Sequence, residues 1–291
     1  MVLEYIVSPS DAQKRPWQLM IVSFLFVSFG VLTQLLIPSL QGSVIIFALI
    51  PLIPLFFFVL LNDEEEEENY DRMRDEVEEW KKVLRELKDV QLTHLSRFAI
   101  GHRFKRIISV HKTLIELFGF VFLGAIIAYT FWFSVLPQQQ SYGLFLQQLQ
   151  EIKTLKAVIT AQIFSPEKFE LLALHNFQVL GLMFLFSLLY GIGALYLLLW
   201  NASIIGVILG QRLIEQGILG VIAGFLGLIP HGIFEITAYL VAALAGGVLS
   251  VSIMRSSNKK PFFKYLLEDI ALLTLLSIVL LVIGAVVEAY Y

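Results

Sequence analysis

The chain has 291 residues, 57% hydrophobic and only 15% charged, with a mean hydropathy of +0.78. Soluble domains carry roughly 25% charged residues. This composition therefore cannot cover a water-facing surface, and it predicts an all-α integral membrane protein rather than a soluble enzyme. A net charge of −3 and the absence of cysteine exclude a broad basic face for nucleic acid, a disulfide framework, a thiolate metal site and a cysteine nucleophile.

A crossing helix needs about 20 mostly apolar residues. In chain order, Trp17–Ile37, Ser43–Leu61, Leu114–Leu136, Val179–Trp200, Phe234–Ile253 and Leu266–Val287 meet that need. Pro51 and Pro54 predict a kink in the second of them. Gly217–Pro230 is apolar but 14 residues long, which is roughly 21 Å of helix and short for an upright crossing. The expected architecture is a polytopic bundle of six full spans and one short or broken membrane helix. The first apolar run is longer than a signal-peptide core, and no small-residue cleavage pattern follows it.

Charge sets the expected orientation. Residues 63–112 carry eleven Lys and Arg, which predicts a cytoplasmic segment, a cytoplasmic N-terminus and an outside C-terminus. Arg255, Lys259, Lys260 and Lys264 agree with it. The chain divides accordingly into a two-helix membrane hairpin (1–62), a charged cytoplasmic amphipathic helix (63–112) and a membrane domain (113–291) with an outside loop at 137–176. Arg212 and Glu215 fall at the expected cytoplasmic turn after the fourth span.

The cytoplasmic segment opens on the acidic run Asp63–Glu68, a solvated face by default. Met73, Val77, Trp80, Leu84 and Leu87 then follow heptad spacing. That seam fits either packing on the same chain or a homodimer or partner contact. The basic residues from Arg97 to Lys112 read as a membrane anchor. In the outside loop, Phe145, Leu149, Ile152, Leu155, Ile159 and Ile163 predict an amphipathic helix on the outer membrane surface or on the bundle. Ser165-Pro166-Glu167 marks a helix start.

Late in the chain, Gly217, Gly220, Gly224 and Gly227 share a helix face, a pattern that lets helix backbones approach in lipid. Ionisable groups inside a membrane are costly and point to function by default. Glu235 is the leading one, and His231 lies four residues earlier on the same face, with Gly232 beside it to admit another backbone. Asn176 and Asn201 stand at the outer and inner ends of the fourth span. Three readings fit this set: a buried polar network, a site for an ion, proton or small solute at a broken helix, and a metal site lacking a demonstrated third ligand. His175 is the other histidine on the same side. No cofactor or metal is expected, and no hydrolytic or phosphate-binding motif occurs.

The C-terminal part, roughly residues 174–288, resembles the stage II sporulation protein M family. The resemblance rests on Asn176, Gly191, Gly193, Asn201 and Gly206, then Pro230-His231-Gly232 with Glu235, and finally Ala238 and Gly246-Gly247. The run His-Gly-x-x-Glu is its most specific element. The resemblance implies a non-enzymatic multi-pass membrane protein that acts as a scaffold for membrane or envelope partners. In spore-forming bacteria such a protein holds peptidoglycan-remodelling partners at the septal membrane. The residues themselves keep a second expectation open, a channel- or transporter-like protein with its site at His231 and Glu235. The lipid bilayer is the expected surrounding, a homodimer the expected assembly, and nucleic acid is not an expected partner.

Overall fold

The computed structural model describes residues 15–37, 44–53, 112–159, 166–190, 193–254 and 260–290. All secondary structure among these residues is helical. In chain order the helices are α1 (Gln18–Leu36), α2 (Val44–Ile53), α3 (Lys112–Val135), α4 (Gln138–Leu144), α5 (Leu146–Ile159), α6 (Pro166–Tyr190), α7 (Ala194–Met254) and α8 (Lys260–Tyr290). The heptad seam Met73–Leu87, the basic cluster before Lys112, Pro54 and Ser165 lie outside the described residues.

Among the described residues, four helices are long and apolar enough to cross a membrane: Gln18–Leu36, Leu114–Val135, Ala194–Ser250 and Leu267–Glu288. That is fewer than the six expected. Two reasons account for it. Of the expected second span only Val44–Ile53 is described, and the apolar part of α6, Ala173–Leu189, falls just short in length. The expected fifth span also joins an earlier stretch within the single helix α7.

Helix α7 is helical throughout except at Gly217, which has φ 65° and ψ −160°. That backbone conformation is open to glycine and strained for any side chain. The chain reverses there. A Cβ on Gly220 would stand 2.5 Å from the Gln216 Cβ and 2.8 Å from the Arg212 carbonyl oxygen, and one on Gly224 would touch Leu209 and Arg212 at 3.4 Å. Residues 218–254 therefore fold back along residues 194–216 as a second, antiparallel arm.

This geometry corrects the expected path in three places. The fourth span does not run from Val179 to Trp200: α6 ends at Tyr190, and Gly193 packs against the Phe186 carbonyl where a Cβ would clash. The reversal was hidden because both of its flanks are apolar. Gly217–Pro230 is not a separate short helix, since the helix continues through Pro230. A proline removes one backbone bond to the preceding turn, which a helix in an apolar bundle tolerates. The stretch long enough to cross before the reversal is instead the first arm, residues 194–216, roughly 35 Å long and sufficient for a bilayer core. As a result Asn201 lies within that arm, and Arg212 and Glu215 lie near its Gly217 tip. Of the glycine stripe, Gly220 faces the opposite arm closely, while Gly217 and Gly227 face open space.

Glycines set the remaining contacts. A Cβ on Gly124 would overlap the Met20 carbonyl, which brings α1 and α3 together, and Ser23 Oγ donates to the Val121 carbonyl across the same seam at 2.8 Å. Trp132 Nε1 donates to Ser28 Oγ at 2.9 Å further along it. Gly206 lies against Tyr129 and Gly210 against Phe133, so α3 and the first arm run in the same direction. Gly246 lies against the Phe184 carbonyl, which seats α6 along the second arm.

Helix α5 packs on this bundle through the face expected for it. Phe145, Leu149 and Ile152 are buried, Phe145 meets the rings of Tyr129 and Phe133, and Gln148 Nε2 donates to Ser203 Oγ at 3.1 Å.

The glycine contacts make a paired prediction. Alanine at Gly119, where a methyl meets open space, should be neutral or raise stability by about 0.5–1 kcal/mol through helix propensity. Alanine at Gly246 would strike the Phe184 carbonyl and crowd the Ser187 Cβ at 2.9 Å, and should lower stability by about 1–3 kcal/mol. Unfolding midpoints of both variants in one detergent check the ordering; equal midpoints would remove the close-approach argument.

Candidate functional site

A cleft of about 590 Å³ lies between α3, α5, α6, both arms of α7 and the end of α8. Its walls are mostly apolar, with Phe122 and Ile126 from α3, Ile204 and Ile208 from the first arm, and Leu228 from the second. Leu123, Phe225 and Ile233 also line it and are exposed. The cleft therefore opens sideways between helices.

One end of the cleft is polar. Asn176 of α6 is buried, and its Nδ2 donates to Glu235 Oε1 at 2.7 Å. The Tyr239 hydroxyl, also buried, donates to Asn176 Oδ1 at 3.2 Å. The phenol fixes which way the carboxamide points. With its oxygen held by Tyr239, the amide nitrogen faces the Glu235 carboxylate. A buried polar group costs free energy unless it is paired, so this chain of bonds is what makes the acid tolerable there.

Helix α8 completes the polar end. The Glu288 carboxyl lies within hydrogen-bonding reach of the Glu235 carboxyl. Gly284, one turn earlier, allows the approach: a Cβ there would stand 3.0 Å from the Glu235 Cγ.

The residues singled out in the sequence converge on this cleft, since His231, Gly232, Glu235, Asn176 and Asn201 all line it, with His175. They do not form one network. Asn176 and Glu235 bond to each other, whereas Asn201 Nδ2 turns back to the Leu197 carbonyl of its own helix at 2.8 Å. His231 Nδ1 is shielded from solvent and has no hydrogen-bond partner among the described residues. Gly232 does not admit a neighbouring backbone as expected; a Cβ there would meet nothing within 4 Å. It widens the cleft instead. Among the described residues, no three His, Asp or Glu side chains come together to hold a metal ion.

Two members went unnoticed in the sequence. Tyr239 is four residues after Glu235, on the same helix face, so helical spacing carries its signal. Glu288 ends a long uncharged apolar run and reads there as the edge of a span. Only the packing of α8 brings it to Glu235.

The carboxamide bridge gives a stability prediction. Asn176→Leu strands both Glu235 and Tyr239 and should cost about 1–3 kcal/mol. The double variant Asn176→Leu/Glu235→Leu should recover part of that loss, because it removes the stranded acceptor as well. Denaturation of the wild type, both single variants and the double variant in detergent measures the cycle; simple additivity would mean that the two residues are not coupled.

Comparison with known proteins places this geometry. The family described as stage II sporulation protein M matches residues 115–291. The match reaches further toward the N-terminus than the motifs alone, taking in nearly all of α3 and everything after it. A Methanocaldococcus jannaschii protein described as uncharacterized is 32% identical over 119 residues, covering 40% of this chain and 66% of that relative, just under two thirds of its length. No solved structure matches the chain. The cleft and its polar end lie wholly inside the matched region, and the chain belongs to the stage II sporulation protein M family.

Proposed function

We propose that this membrane protein is channel- or transporter-like and takes up a small solute, an ion or a proton in the cleft at Glu235. The observation that carries the reading is the cleft itself, about 590 Å³ of space between apolar helices that reaches a cluster of Glu235, Asn176, Tyr239 and Glu288. Helices held only by a structural polar network have no need of such a space beside it. Ionisable residues facing a cavity within a membrane bundle mark substrate and ion pathways.

The full topology belongs to the same proposal. Two α7 arms, α3, α6 and α8, together with α1 and the second apolar segment, make seven crossings. The basic segment 63–112 stays in the cytoplasm, the N-terminus is inside and the C-terminus outside. The reversal at Gly217 keeps the number of crossings expected from the charge pattern, although it redraws their boundaries.

The rival reading, a non-enzymatic scaffold for envelope partners or a homodimer, needs a docking surface. One expected surface, the apolar face of the 137–176 loop, is used internally where Phe145, Leu149 and Ile152 are buried. The other, the seam Met73–Leu87, lies outside the described residues. The cleft therefore favours the solute reading.

The chain has no cysteine, which makes water access simple to test. Thr237→Cys, at the cleft, should react with a membrane-impermeant thiol reagent in proteoliposomes. Leu275→Cys, on the exposed apolar face of α8, should not. In the same vesicles the wild type should pass protons, potassium or small amines, and Glu235→Gln should reduce that passage at least tenfold. A well-folded wild type that passes none of them, with Thr237→Cys unreactive, would overturn the proposal in favour of the scaffold.

A further inference from the structure

The two ends of the cleft differ, and the difference specifies a ligand. One end offers acceptors, the carboxyls of Glu235 and Glu288. The rest is walled mostly by Ile, Leu and Phe side chains, with Asn201 and Thr237 among them. A volume of about 590 Å³ falls within the roughly 300–1,000 Å³ typical of small-molecule sites. It is far more than a coordinated inorganic ion fills.

We infer that the cleft binds an amphipathic cation, a primary ammonium on an apolar body. Its charged head would sit between Glu235 and Glu288, and its tail would lie along Ile204, Ile208 and Phe122. This rests on the solute reading above and names the class of solute.

The chemistry fits in three respects. An ammonium has three N–H donors and no acceptor, and the Glu235 and Glu288 carboxyls supply acceptors for them. A positive charge enters an apolar bundle only where a negative one meets it, and one ionised carboxyl of the pair balances one ammonium. Asn176 is already committed, its amide nitrogen to Glu235 and its oxygen to Tyr239. It therefore orients the Glu235 carboxyl toward the end of the cleft that Glu288 shares. The sideways opening at Leu123, Phe225 and Ile233 lets the tail enter from the bilayer, so the ammonium belongs either to a free hydrophobic amine or to an ethanolamine lipid headgroup.

The test uses the full chain in phosphatidylcholine nanodiscs, titrated with decylammonium, decanol and decanoate. Decylammonium is expected to bind at least tenfold more tightly than decanol, and decanoate not at all. Glu288→Gln, which keeps a hydrogen-bonding side chain, should lose at least tenfold in decylammonium affinity while decanol binding stays unchanged. Ile208→Trp, which fills the apolar end and leaves the carboxyls in place, should weaken decylammonium while sparing methylammonium. Phosphatidylethanolamine added to the discs displaces decylammonium if the headgroup is the source, and leaves it bound if a free amine is. Equal binding of decanol and decylammonium would overturn the inference, as would unchanged affinity in folded Glu288→Gln. If protons or potassium still pass in a Glu235-dependent way, only the ligand class fails. If Thr237→Cys is also unreactive and nothing passes, the solute reading fails with it.

Discussion

The distance between helix backbones governs everything else in this bundle. At Gly124, Gly206, Gly246 and Gly284 a neighbouring helix stands where a Cβ would be. Lipid supplies no hydrophobic force between helices, so association depends on close packing and on bonds across the interface. Each glycine contact therefore fixes a crossing point, and the crossing points fix which side chains can meet. Gly246 seats α6 along the second arm of α7, the arrangement in which Asn176 of α6 meets Glu235 and Tyr239. Gly284 brings α8 close enough for Glu288 to reach Glu235. With larger residues at these positions the same polar side chains would be carried apart.

The polar cluster is then a consequence of packing, and it feeds back on it. A carboxyl among apolar helices is costly, and a carboxamide that is itself held by a phenol is an economical way to meet it. The bonds join α6 to the second arm of α7, and Glu288 of α8 stands beside Glu235 of that arm. The apolar cleft beside the cluster distinguishes this arrangement from a simple interhelical clamp. Gly232 and the His231 side chain both line that space.

The family match separates two parts of the chain. Residues 115–291 carry the bundle, the cleft and the polar end, whereas α1 and α2 precede the match. Yet α1 is bound to α3 by Ser23, by Trp132 and by the close approach at Gly124. The N-terminal helix extends the bundle on the side of α3 away from the cleft residues, and it leaves the site's own walls unchanged. Helix α5 does the reverse: it comes from the loop, yet Ile152 helps to wall the cleft.

Much of this was legible in one dimension because lipid and helix periodicity act locally. The all-helical class follows from composition, since a backbone in an apolar medium must meet its own hydrogen bonds. The buried face of α5 follows from the spacing of Phe145, Leu149 and Ile152. The pairing of His231 with Glu235 on one face follows from a four-residue interval, and Asn176 stood out as a polar residue in an apolar run. What failed were the breaks. Pro230 reads as a stop, but the helix continues through it, while Gly193 and Gly217 carry the reversals. Hydropathy is the same on both sides of a tight turn between apolar helices, so it cannot locate one, and a glycine's φ is set by where the next helix must go. Glu288 is the clearest case. The sequence alone determined that an acid stands at the end of the last apolar run. Only the tertiary structure decided that it faces Glu235, because that meeting depends on the rotation and offset of α8 against α7, and those are set by contacts far apart in the chain.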